Sequence, residues 1–231
     1  MTAATKSGGR LLGEIMGADP LLRRQWIVTL APGEYRALCE ASAHLLGTPY
    51  GMWVDDPVGF VEVALGETLY GTQVKIAEAV RDHERVAGPS AHSVGKTFLC
   101  ARLVVWWVVT HAPGTAQAIT TGHSWDHVRL QLWPHIRFVH ETYGMPGMCL
   151  QTEWQIGDKF VASGRSPSPK NEAAFSGIHD PYVMVVIDEA GAFPPNLGRS
   201  VESIMSSGEP RLLAIGNPPF DVDVSSPWFE E

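Results

Sequence analysis

"GPSAHSVGKTF", residues 88–98, is the stretch whose reading decides the fold. Its end, Gly95-Lys96-Thr97, has the form of the second half of a phosphate-binding loop. In such a loop the backbone N–H groups of the turn, and of the next helix's first turn, point at phosphate oxygens. The Lys reaches the β- and γ-phosphates, and the Ser or Thr hydroxyl binds Mg²⁺. The front half departs from the usual spacing, which places a glycine where this chain has Ser90. A Gly-Lys-Thr on an ordinary surface loop has the same letters, so the tripeptide leaves both readings open. The sequel favours phosphate binding. "FLCARLVVWWVVT" (98–110) reads as a buried helix directly after the loop. It contains Arg102 and falls short of the roughly 20 apolar residues needed to span a bilayer.

A phosphate loop needs a second element, and "YVMVVIDE" (182–189) supplies it. A continuous apolar run of this kind marks a strand buried on both faces of a parallel sheet. Asp188 then falls at the carboxyl edge of the sheet, where open α/β folds bind ligands. From there it can hold Mg²⁺ beside Thr97, and Glu189 can polarise a water for attack on the γ-phosphate. "RLLAIGNPP" (211–219) reads as another buried strand, ending in a turn whose Asn217 can sense the γ-phosphate. An Asn-Pro turn is common in its own right. Upstream, "LYGTQ" (69–73) offers Gln73, whose amide can both donate to and accept from an adenine edge, and Tyr70, which can stack on the base. A solvated Gln at a helix start reads equally well.

The rest of the chain fits an alternating α/β pattern. "TAQAITTG" (115–122) and "KFVASG" (159–164) read as strands. The segment 80–87 is mixed and leads into the loop. In "SWDHVRLQLWPHIRFVHETYG" (124–144), Val128, Leu132, Ile136 and Val139 share one helical face. Ser124 is the predicted N-cap, and Pro134 is expected to kink the helix or disturb its middle turn. His123 and His127 have the i, i+4 spacing of a chelating pair, but no HExxH glutamate and no evident third ligand accompany them. Residues 165–177 read as a polar surface loop, and a helix carrying Val201, Ile204 and Met205 inward is expected after Glu189. Residues 10–69 read as short helices broken by Pro20, Pro32, Pro49 and Pro57, and residues 1–9 as a loose tail.

Composition bounds the function. At 231 residues, 45% hydrophobic and 18% charged, the chain can bury an α/β core. A net charge of −8 argues against a dedicated basic DNA-binding module and leaves room for a few local DNA contacts. Cys39, Cys100 and Cys149 form no CxxC pair, so neither a zinc ribbon nor a disulfide framework is expected. The start, "MTAATKSGGR", lacks the apolar stretch of a secretory signal.

Taken in order, Gln73, "SAHSVGKTF", "AITTGHSWDHVRLQLWPHI", "AAFSGIHDPYVMVVIDEAGAFP" and "RLLAIGNPP" resemble the ATPase domain of the large terminase subunit of tailed bacteriophages or prophages. The resemblance runs from about Phe60 to Pro219. It implies a RecA-like, additional-strand P-loop NTPase: a mainly parallel sheet flanked by helices, with a small helical N-terminal region. The implied division is 1–69 as tail and helical subregion, 70–220 as ATPase core and 221–231 as a linker-like tail.

The resemblance further implies a Mg²⁺-dependent ATPase that moves double-stranded DNA into a procapsid. Its partners would be a portal protein, a small terminase subunit and copies of itself in a ring, with no membrane involved. Its place would be the host cytoplasm at the portal vertex. Lys96 and Glu189 become the catalytic pair. Gln73, Ser90, His92, Ser93, Val94, Gly95, Lys96, Thr97 and Asn217 become the ATP-binding residues, with Thr97 and Asp188 on the metal side. Many relatives carry Arg where this chain has His92, and a neutral His cannot replace bidentate Arg on phosphate. The cation is then expected from elsewhere, with Arg165 and Arg199 as candidates. The family's nuclease domain is not expected in "FDVDVSSPWFEE" (220–231), where Asp221 and Asp223 read as a linker turn. A helicase-like or remodelling P-loop ATPase and a nucleotide-binding module without turnover are the other readings.

Overall fold

The computed structural model describes residues 3–89, 94–166, 178, 180–193, 198, 201, 202, 204, 205 and 208–217. Ser90, His92, Ser93, the 167–177 loop, Arg199 and residues 221–231 lie outside the described residues.

The two apolar runs that end in polar residues form the centre of one seven-stranded sheet. The strands are β1 (Arg85–Pro89), β2 (Ala116–Gly122), β3 (Met148–Cys149), β4 (Glu153–Ile156), β5 (Lys159–Gly164), β6 (Tyr182–Asp188) and β7 (Glu209–Gly216). Their order is β1-β7-β6-β2-β5-β4-β3. Strands β1, β7, β6, β2 and β5 are parallel, while β4 runs antiparallel to both β5 and β3. The added strand, β7, lies between the strand leading into the phosphate loop and the acidic strand. Burial of β6 on both faces explains its unbroken apolar run. Met184 and Val186 join the larger core, and Val183, Val185 and Ile187 pack on the opposite face with Ile204 and Met205. Pro89 ends β1, the sheet's edge strand, where a missing N–H is tolerated. The mixed segment 80–87 divides between the end of a helix and this strand.

Helices α1 (Ala3–Met16), α2 (Pro20–Ile27) and α3 (Pro32–Leu46) precede the sheet. A short α4 (Pro57–Gly59) runs into a π-helical turn (Phe60–Ala64), and α5 (Gly71–Asp82) follows. Prolines stand at the start of α2, α3 and α4, where the lost N–H costs nothing. The expected loose tail is instead the first turns of α1. Gly8 lies so close to α3 that an added Cβ would come 2.6 Å from the Ala37 carbonyl oxygen. What reads as a flexible Gly-Gly pair lets two helices touch. Residues ahead of α5 share the main core, which extends from Leu12 to Ile215.

Helix α6 (Lys96–Thr110) is buried from Leu99 to its end, as an all-round apolar helix must be. Its Arg102 is neutralised by both carboxylate oxygens of Glu67, at 2.7 and 2.8 Å. The long helix after β2 forms as α7 (Trp125–His127), a π turn (Val128–Leu132) and α8 (Trp133–Thr142). The Ser124 side chain caps it, accepting from the His127 N–H at 3.2 Å. Pro134 does disturb the middle: the Trp133 N–H reaches back five residues to the Val128 carbonyl. Val128, Leu132, Ile136 and Val139 are all fully buried. Among the described residues no helix is long and apolar enough to cross a membrane.

Candidate nucleotide-binding site

The parallel strands bring three separated stretches to one sheet edge. Gly95 opens α6 in the left-handed region, at φ 76°, and so turns the loop into the helix. Lys96 and Thr97, on the first turn, face the ends of β7 and β6. The Lys96 Nζ donates to Asn217 Oδ1 at 2.8 Å and lies 3.4 Å from Glu189 Oε1. The Thr97 hydroxyl donates to Asp188 Oδ2 at 2.7 Å. The residues expected to hold phosphate and metal, and to sense the γ-phosphate, therefore form one connected cluster.

Asp188 is fully buried, so its charge needs donors. It has three. Besides Thr97, the Glu189 N–H reaches Oδ1 at 3.1 Å, and His127 Nε2 lies 2.9 Å from Oδ2. A carboxylate only accepts, so Nε2 of His127 carries the hydrogen. Sequence reasoning considered His127 only for metal chelation and missed this role. The signal was local: His127 sits one turn after the Ser124 cap, at the end of the strand beside β6. The His123 ring stacks on His127 at 4.8 Å. Burial, and then His127, hold the His123 pKa below its ordinary value.

Glu189 is the one described non-glycine residue with positive φ, at 57°. A left-handed residue without a glycine's freedom stores strain, and such strain collects at functional positions. The turn is held from behind by Gly216. A Cβ there would lie 2.6 Å from the Ala190 nitrogen and 2.9 Å from the Gly191 nitrogen.

Two clefts meet at Gly95. One of about 260 Å³ is lined by Gly95, Lys96, Thr97, Phe98, His135 and Glu189. The other, of about 670 Å³, includes Tyr70, Gln73, Val94, Phe98, Arg102 and Phe138 in its wall. Tyr70 is exposed and free to stack. Gln73 is buried, and its amide is turned to the protein: Oε1 accepts from the Tyr70 N–H at 3.0 Å, and Nε2 donates to the Val94 and Gly95 carbonyls at 3.1 and 3.3 Å. Arg165 follows β5 at the same sheet edge, with its N–H on the Thr120 carbonyl.

A P-loop NTPase of the additional-strand type is the class these features define. No protein-family model matches the sequence, and no curated protein matches it. Solved structures do. The crystal structure of the HK97 bacteriophage large terminase superposes with a TM-score of 0.57 at 16% identity, over 75% of this chain and 39% of that one. The large terminase ATPase domain of Thermus phage P74-26 gives 0.52 at 16%, over 69% of each chain. The large terminase of another thermophilic bacteriophage, in complex with ADP, gives 0.51 at 15%, over 65% and 39%. This chain has the fold of the large terminase ATPase domain, and the match covers about two-fifths of the HK97 protein's length.

Proposed function

We propose that this chain is the ATP-hydrolysing motor domain of a viral DNA-packaging terminase. The observation that carries the reading is the contact of Lys96 with Asn217 and Glu189, alongside Thr97 on Asp188, in a terminase-type fold. ATP places its phosphates in the smaller cleft and its base in the larger. The triphosphate competes with Asn217 and Glu189 for the Lys96 ammonium. Once released, Glu189 orients a water for in-line attack on the γ-phosphorus, and the bond to the β,γ-bridging oxygen breaks. Asn217, at the end of β7, then registers whether the γ-phosphate is present.

Thr97 Oγ1 and Asp188 Oδ2 are hard oxygen donors side by side, a set that suits Mg²⁺. Among the described residues no group of three or more His, Cys, Asp or Glu could hold a metal alone, so phosphate oxygens and water would complete the coordination. When bound, Mg²⁺ neutralises charge on the β- and γ-phosphates.

The work done is translocation of double-stranded DNA into a procapsid in the host cytoplasm. The partners are portal protein, small terminase subunit and further copies of the chain in a ring. We assign no DNA cleavage to residues 1–231. The test is phosphate release from ATP and Mg²⁺, with and without DNA and procapsids, for wild type and Glu189→Ala. Wild-type hydrolysis that exceeds the variant's and rises with DNA and procapsids is expected. Equal rates would sink the enzyme reading.

A further inference from the structure

The geometry points to Gln73 as a positioning residue of the phosphate loop, not a reader of the nucleotide base. An adenine edge is read by an amide that donates and accepts at once. The Gln73 amide has two N–H groups, and the loop carbonyls of Val94 and Gly95 lie at 3.1 and 3.3 Å from its nitrogen. Its oxygen is engaged as well, accepting the Tyr70 N–H that opens α5. The side chain is buried beneath the loop rather than presented to the larger cleft.

The fit is built from both sides. Gly95 takes a positive φ that only glycine adopts freely, and an added Cβ there would come 2.6 Å from the Gln73 nitrogen. Gly95 is therefore required twice over, once for the turn and once for the approach of Gln73. The amide ties the start of α5 to the start of α6, the two elements between which the loop must hold its shape. A loop whose N–H groups cradle phosphate works only if those groups are already aimed. Gln73 supplies that aim by fixing the carbonyls of the same peptide units.

The consequence, which rests on the nucleotide-site reading above, is that Gln73 contributes equally to every triphosphate, whatever its base. Recognition of the base falls to Tyr70, Phe98 and Phe138, whose stacking is tolerant of base identity.

Gln73→Glu tests this, because it keeps the oxygen that caps α5 and sets a carboxylate against two carbonyls. Gln73→Met removes both functions and serves as the second variant. Binding of ATP, GTP and inorganic tripolyphosphate is measured by calorimetry. Hydrogen exchange over residues 94–98 and over the start of α5 is followed in the protein alone. For Gln73→Glu, binding of all three ligands falls by a similar factor of about ten, the order expected for one or two lost hydrogen bonds. Exchange rises at 94–98 and stays unchanged at α5. In Gln73→Met it rises at both. A loss confined to ATP, or unchanged loop exchange in both variants, overturns the assignment. If wild type binds none of the ligands yet loop exchange still rises in Gln73→Glu, the clamp stands and the nucleotide reading falls.

Discussion

Lys96 Nζ and Asn217 Oδ1, 121 residues apart in sequence, meet at 2.8 Å. The contact joins the first turn of α6 to the end of β7, and it holds the phosphate-seeking cation on a residue that would report the phosphate. Asn217→Ala removes one competitor for the ammonium. ATP affinity is expected to stay the same or tighten while hydrolysis falls. Equilibrium binding of a fluorescent ATP analogue beside phosphate release checks this, and clearly weaker binding counts against the arrangement.

Glu189 lies within reach of Lys96 but outside the carboxyl cage of Asp188. Glu189→Gln keeps the shape and removes the base. Hydrolysis is expected to drop by about 10²–10⁴-fold, the usual weight of a general base, with ATP still bound. Stopped-time phosphate assays and ATP retention on a filter separate the two effects.

Gly216 supports the Glu189 turn from the neighbouring strand. Gly216→Ala drives a methyl group into the backbone nitrogens of Ala190 and Gly191, atoms that cannot swing aside. A destabilisation of about 1–3 kcal/mol is expected, as for other overpacked sites. Hydrolysis should fall further than the unfolded fraction explains. Urea unfolding and kcat on the same preparation decide it; an unchanged midpoint would refute the close approach.

His127 donates to a buried carboxylate that Thr97 also uses. His127→Ala leaves Asp188 short of one donor, which costs about 1–3 kcal/mol for a buried group. The Mg²⁺ concentration giving half-maximal hydrolysis should rise as well. His127→Gln, which can still donate, should recover part of both losses. No shift in Mg²⁺ dependence for the alanine variant would reduce His127 to a packing residue.

Burial raises the Cys149 thiol from 9.0 to about 11, with Arg137 opposing and Glu141 reinforcing the shift. Burial also raises Cys39, Tyr35 and Tyr50. Between pH 9 and about 11 the unfolded chain releases the Cys149 proton while the folded chain keeps it. Folded protein then binds more protons than unfolded, so stability falls as pH rises through that window. Unfolding midpoints at about pH 8 and about pH 10.5, on either side of the unfolded thiol's titration, test the direction. Iodoacetamide labelling at the lower pH should be slow at Cys149 and slower at Cys100, whose thiol burial raises well above the ordinary value.

Several elements were legible because their cause is local. The apolar runs of α6, β6 and β7 state their burial in composition alone, and Ser124 announces the helix it caps. Pro134 announced a disturbance, though not that a π turn would absorb it. The short strands β3 and β4 gave no such signal. Met148–Cys149 and Glu153–Ile156 are half-exposed, and pairing with β5 rather than any pattern of their own makes them strands. Gly8 misled for a related reason: a glycine that frees a tail and one that admits a neighbouring helix look alike until the neighbour is known.

The residue types of the site, Gly95, Lys96, Thr97, Asp188, Glu189 and Asn217, were set out by sequence, because a loop before a helix and an acid after an apolar strand are chemistry written in short range. Tertiary structure decided their relations. The insertion of β7 between β1 and β6 brought Asn217 to Lys96. The parallel register of β2 and β6 set His127 against Asp188. Burial turned the Gln73 amide from the open cleft to the loop. Each outcome depends on which strand lies beside which, and hydrogen-bond partners tens of residues away are chosen by packing, not by the letters on either side.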